Sequence, residues 1–140
     1  MQPLGGTELQ YAQLYKHVDN TLLDKFQITT SIPEKIPLSK DKINILWAQN
    51  SYDQSNLAPW FEDKSNHSKY DWYVFNSNWC AEKFRMAFKV PPEKCVVIKN
   101  AIEKFAPKPV HKNGDKIKLI YTSTPWRGLS VLLGAMQLIK

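Results

Sequence analysis

Residues 71–102 constrain the fold more than any other stretch, because they read as one complete strand–helix–strand unit. Trp72-Tyr73-Val74-Phe75 is a short run of aromatic and β-branched side chains suited to a buried strand, and Asn76-Ser77-Asn78 stops it. Ser77 or Asn78 can accept a hydrogen bond from a free backbone N–H at a helix start. Cys80, Phe84, Ala87 and Phe88 then fall on one helical face. Pro91-Pro92 is expected to end that helix, since proline has no N–H to donate and restricts the residue before it. A second apolar strand follows at residues 95–98, and a right-handed crossover makes it parallel to the first. The expected class is therefore α/β, a Rossmann-like parallel sheet flanked by helices.

The segments on either side extend this pattern. Residues 42–48 form a strand that runs into the polar cluster Gln49-Asn50-Ser51-Tyr52-Asp53, and residues 26–32 form a weaker strand followed by the loop prolines Pro33 and Pro37. Ligands of open α/β sheets lie at the carboxyl ends of strands, which makes Gln49, Asn50, Tyr52 and Asp53 candidate binding residues. A polar Asn/Asp turn accounts for the same residues without a ligand. Near the N-terminus, Gly5-Gly6 precedes Thr7-Glu8-Leu9-Gln10, where Thr7 and Gln10 have capping-box spacing for a helix to about residue 17. Two glycines before a helix let a ligand approach backbone N–H groups, which suits an anion; they equally suit a plain tight turn. Only four residues precede Gly5, too few for the strand that a phosphate-binding turn normally follows, so the chain is expected to lack its first strand.

Residues 56–61 read as a short helix, and 62–70 as a charged surface loop carrying an exposed His67. Residues 106–115, with two prolines and one glycine, have linker composition. Beyond them come a strand (116–122), a turn (123–128) and a helical stripe of Leu129, Leu132, Leu133 and Met136. The expected organisation is a first domain over 1–105, a linker over 106–115 and an incomplete second domain over 116–140. That stripe is too apolar to stand bare in an ordered tail, so the expectation is either a covering surface from the first domain, a second polypeptide or a homo-oligomer, or a disordered tail.

Charge and cysteine content narrow the function. The net charge of +6 comes from 17 Lys and only two Arg, Arg85 and Arg127, scattered among acidic residues. Arg is the commonest donor to base edges, so no nucleic-acid partner is expected; the scattered charge reads as a solvated surface and leaves an anionic partner open. Cys80 and Cys95 lack metal-ligand spacing and sit on apolar faces, as reduced core residues of an intracellular protein do. No zinc site is expected, and no other cofactor. There is no membrane-length apolar run and no signal-peptide pattern at the start, so the expected location is cytoplasmic.

Four segments together resemble the retaining glycosyltransferases of family 4, which have the GT-B fold of two facing Rossmann-like domains. They are Gly5-Gly6-Thr7-Glu8; Leu46-Trp47-Ala48-Gln49-Asn50; Tyr73-Val74-Phe75-Asn76-Ser77 with Val97-Ile98-Lys99-Asn100-Ala101-Ile102; and Leu119-Ile120-Tyr121-Thr122-Ser123-Thr124-Pro125-Trp126-Arg127-Gly128-Leu129 with Leu132-Leu133. The resemblance implies a metal-independent, retaining hexosyl transfer from a nucleotide diphosphate sugar to a glycan or lipid acceptor. It implies donor diphosphate contacts at Gly5, Gly6, Thr7, Arg127 and Gly128, and acceptor contacts at Gln49, Asn50, Tyr52 and Asp53.

Three departures from the family pattern bear on activity. Gln49 stands where the family usually places a His, and it cannot shuttle a proton at neutral pH. Asn100-Ala101 replaces the usual Asn-Gly, and no two Glu are eight apart, so the family's Glu-x7-Glu donor pair is absent. The expectation is a glycosyltransferase domain that cannot complete the donor site alone, with a degenerate, non-catalytic glycan-binding domain as the alternative. No catalytic residue is assigned.

Overall fold

Strands β1 (Phe26–Thr30), β2 (Ile43–Ala48), β3 (Trp72–Phe75) and β4 (Cys95–Val97) form an all-parallel sheet in the order β1-β2-β3-β4. The computed structural model describes residues 5–102, 104, 119–121 and 128–138. The chain divides into two compact units, Met1–Glu103 and Lys104–Lys140. The sheet lies in the first. The register pairs Thr29 with Leu46, Leu46 with Tyr73 and Tyr73 with Cys95, so alternate residues of all four strands share a face. The α/β, Rossmann-like class expected from the sequence is the class observed.

On one face, Leu46, Ala48, Tyr73 and Phe75 pack with α3 (Ala58–Glu62) and α4 (Asn78–Phe88), contributing to a core with Phe61, Cys80, Phe84 and Phe88. On the other, Ile28, Ile45, Trp47 and Val74 meet Leu14 of α1 (Gly6–His17) and Leu23 of α2 (Asn20–Leu23) around an apolar pocket of about 180 Å³. A parallel sheet buries both faces, and β3 and β4 accordingly read as unbroken apolar runs, while Asn44 interrupts β2 and Gln27 and the two threonines make β1 the most polar strand.

The central unit forms as expected, with three differences. Ser77 is the N-cap, its Oγ accepting from the Cys80 N–H at 3.1 Å. Helix α4 ends before the prolines, because Lys89 takes a left-handed conformation (φ 62°) that breaks the helix and bonds its N–H to the Arg85 carbonyl. Ala87 is exposed and Ala81 takes its place in the core, since the apolar stripe runs 80-81-84-88. Strand β4 stops at Val97, although the Ile98 N–H still reaches the Phe75 carbonyl at 2.9 Å. Cys80 is buried and Cys95 half-buried, both free, and burial raises both thiol pKa values.

The largest correction concerns residues 62–70. They are not a surface loop: Lys64–Ser68 is a 3-10 turn, His67 is buried, and Tyr70 is fully buried in the core. The His67 Nε2 lies 2.9 Å from the Phe61 carbonyl, so its polar edge is satisfied inside the fold. The Asp63 carboxylate caps the turn by accepting from the Ser65 N–H at 3.0 Å. Lys94 ties this layer to the region before β4 by donating to the carbonyls of His67 (3.1 Å) and Tyr70 (2.7 Å).

Smaller differences follow from local chemistry. Helix α1 starts one residue before Thr7, with Gly5 as N-cap and no side-chain cap, so Thr7 and Gln10 do not form a capping box. Short α2 follows α1, its start fixed by Asp19 accepting from the Thr21 N–H at 2.8 Å. Strand β1 ends at Thr30 because Ser31 takes a φ of 65°. In the second unit, α5 (Leu129–Leu138) carries the predicted stripe; Leu129 and Leu132 are half-buried, Leu133 and Met136 exposed.

Candidate functional site

The carboxyl ends of the parallel strands bring three of the sequence segments into contact. Gln49, directly after β2, and Asn100, beyond β4, exchange amide hydrogen bonds: Gln49 Nε2 donates to Asn100 Oδ1 at 3.3 Å, and Asn100 Nδ2 donates to Gln49 Oε1 at 3.2 Å. One turn into α1, Gln10 does the same to backbone. Its Nε2 donates to the Ala101 carbonyl at 2.8 Å and its Oε1 accepts the Ala101 N–H at 3.2 Å. A side-chain amide placed this way imitates a neighbouring strand. The segment after β4 is thereby held between α1 and the end of β2.

At the start of α1 the first backward bond is Leu9 N–H to the Gly5 carbonyl at 3.1 Å, which leaves the N–H groups of Gly6, Thr7 and Glu8 free of helical partners. The Glu8 carboxylate folds back here, with Oε2 only 2.6 Å from where a Cβ on Gly5 would stand. Glycine is what allows that approach. Glu8 also puts negative charge at the positive end of the helix dipole. An incoming anion meets Glu8 first, and because Glu8 is an exposed side chain it can swing away.

The remaining candidates are less closely grouped. Asn50 is half-buried, and its carbonyl lies 4.0 Å from Cys80 Sγ. Tyr52 turns inward, its ring edge-on to Phe88 at 6.5 Å, so its first role is packing. Asp53 is exposed. Gly128, in the second unit, has φ 103°, a conformation favouring glycine, and its carbonyl starts α5 by accepting from Leu132 N–H at 3.0 Å. Arg127, the whole 106–115 linker and most of the 116–122 strand lie outside the described residues. Among the described residues no group of His, Cys, Asp or Glu is arranged to hold a metal ion, and no helix is long and apolar enough to cross a membrane.

Sequence reasoning missed Gln10 and Glu34. Gln10 was assigned to a cap, while its real partner lies 91 residues away. Glu34 pins the loop after β1: its carboxylate accepts from Trp60 Nε1 at 2.9 Å and Lys69 Nζ at 2.8 Å, and its N–H donates to the Tyr70 hydroxyl at 2.9 Å. These bonds hold Glu34 at φ 53° and, Lys69 first, keep its carboxyl below the ordinary range. No local pattern announces such a residue. No protein-family model matches the chain, and no curated protein or solved structure matches it.

Proposed function

We propose that this chain is the acceptor-side domain of a retaining, metal-independent glycosyltransferase that uses a nucleotide diphosphate sugar. The observation that carries the reading is the pair of reciprocal amide bridges, Gln49 with Asn100 and Gln10 with Ala101. Through them two segments of the family resemblance, and the helix that begins in a third, meet at the carboxyl edge of one parallel sheet. In this reading the donor diphosphate takes the free N–H groups at the start of α1, around Gly5, Gly6 and Thr7, and Arg127 and Gly128 are the further diphosphate contacts that the resemblance implies. The chemistry suits those groups. As the bond to the anomeric carbon breaks, negative charge grows on the departing phosphate, where N–H dipoles and a guanidinium stabilise it. Asn50 and Asp53 have side chains available for acceptor hydroxyls, and Gln49 and Tyr52 frame them.

The test is amide chemical-shift mapping of the full chain during titration with a nucleotide diphosphate sugar. The reading expects shifts centred on Gly6, Thr7 and Glu8. Shifts confined to residues far from α1, or none, would oppose it.

A second reading, glycan binding without transfer, is favoured by Gln49, whose amide is already engaged by Asn100 and cannot move a proton. A sugar-transfer assay on the full chain separates the two. Glycan binding that persists without transfer, and without any response to the nucleotide sugar, supports the second.

A further inference from the structure

The two faces of the sheet are closed to different extents. Under α3 and α4, Leu46, Ala48, Tyr73 and Phe75 have at most 1% of their surface exposed. On the opposite face Ile43, Trp72, Val96 and Ile98 are 40%, 41%, 36% and 54% exposed. The register makes these one surface: Ile45 stands beside Trp72 and Val74 beside Val96, so the open side chains run diagonally from the start of β2 to just beyond β4.

A parallel sheet is stable with both faces covered. Four strands about 4.8 Å apart span roughly 15 Å, and a helix with its side chains is about 10 Å wide, so each face takes two helices side by side. Helices α3 and α4 fill the first face. On the second, α1 and the four-residue α2 pack over Phe26 and Ile28 through Leu14 and Leu23, and they leave Trp72, Val96 and Ile98 open. The apolar pocket of about 180 Å³ lies at the margin of the open half, its wall shared by Trp47, Val74 and Ile98.

Shape and chemistry together narrow the occupant. The gap is one helix wide, its floor is apolar, and the pocket receives one projecting side chain, which is how an amphipathic helix seats in a groove. A bilayer reaches side chains that project from a surface, whereas these lie on a sheet floor beside α1. A second copy would bring the same net charge of +6 to a small contact, while a helix with an acidic outer face is attracted to it.

We infer that the open half of this sheet face docks an amphipathic helix of a separate protein. Its aliphatic stripe lies on Trp72, Val96 and Ile98, one anchor side chain enters the pocket, and its outer face is acidic. The inference rests on the sheet alone and does not depend on glycosyl transfer.

The test is fluorescence anisotropy on the full chain with labelled synthetic helices of about 18 residues, long enough to be helical alone. One carries a leucine stripe and a glutamate outer face, one the same stripe with lysine, and one the first composition scrambled. Phosphatidylglycerol vesicles and the oligomeric state of the chain are measured beside them. The acidic helix should bind, and Trp72→Gln and Ile98→Gln should each weaken it on the order of tenfold, with the melting temperature unchanged. Met86→Gln, a change at a 61% exposed position on α4 over the opposite face, should leave binding as it is. The inference is overturned if the acidic helix does not bind, if the scrambled or lysine helix binds as well, or if Met86→Gln weakens binding as much. It is equally overturned if vesicles bind and the helix does not, or if the chain is a dimer that Ile98→Gln dissociates.

Discussion

Replacing Phe61 with alanine tests whether residues 58–70 belong to the core. Phe61 has no exposed surface, and its ring centroid lies 4.9 Å from Phe84, 5.5 Å from Phe88 and 5.8 Å from Tyr73, with Trp60 and His67 completing the shell. Removing a ring so enclosed leaves a cavity its neighbours cannot fill, and such changes cost about 3–5 kcal/mol. A domain of about 100 residues has roughly 5–15 kcal/mol in total, so much of the stability of the first unit goes. Each kcal/mol moves the melting temperature of such a domain by about 4–8 °C, giving a drop of roughly 12–40 °C. Circular dichroism melts and urea titrations read this directly, and Phe61→Leu, which keeps most of the volume, should recover most of the loss. A Phe61→Ala cost within about 0.5 kcal/mol, the range of a surface change, would refute the placement of this layer against the sheet. The consequence reaches the loop after β1, because Trp60, Lys69 and Tyr70 of this layer hold Glu34 in place there.

Three further outcomes are expected. The Glu34 carboxyl is held below its ordinary value of 4.5, so its contribution is fully present above that value and is lost as pH falls through the lower folded value. The side chain is 42% exposed, which limits the effect to about 0.2–1 kcal/mol; Glu34→Gln should be less stable than wild type at neutral pH, and the difference should vanish in acid. Gln10→Ala should speed hydrogen exchange at the Ala101 amide while costing about 1 kcal/mol or less, whereas Gln49→Ala should leave that amide protected. Lys89→Gly should stabilise the first unit by about 0.5–1 kcal/mol in urea titrations, because glycine adopts the φ of 62° without the Cβ strain that lysine bears.

How much of this was legible in the sequence depends on how local the cause is. Strand β3, the Ser77 cap and the face carrying Cys80, Phe84 and Phe88 follow from composition and spacing within a dozen residues, and they form as read. Residues 62–70 were opaque for a physical reason. Phe61, His67 and Tyr70 are spaced by multiples of three, the period of a 3-10 turn, so they match neither the helical nor the strand pattern. The charged residues between them made the stretch look solvated. At the candidate site, Gln49 and Asn100 stand out in sequence only as members of separate motifs, and their pairing depends on the register of the whole sheet. Glu34 was invisible for the same reason: its left-handed φ is imposed by partners 26 to 36 residues away.

The most direct measurement is a calorimetric titration of the full chain with a nucleoside diphosphate and, in parallel, with the corresponding nucleoside. The account predicts binding heat for the diphosphate only, lost in Arg127→Ala while the fold stays intact. Absence of diphosphate binding, or equal binding by the Arg127→Ala chain, would contradict it.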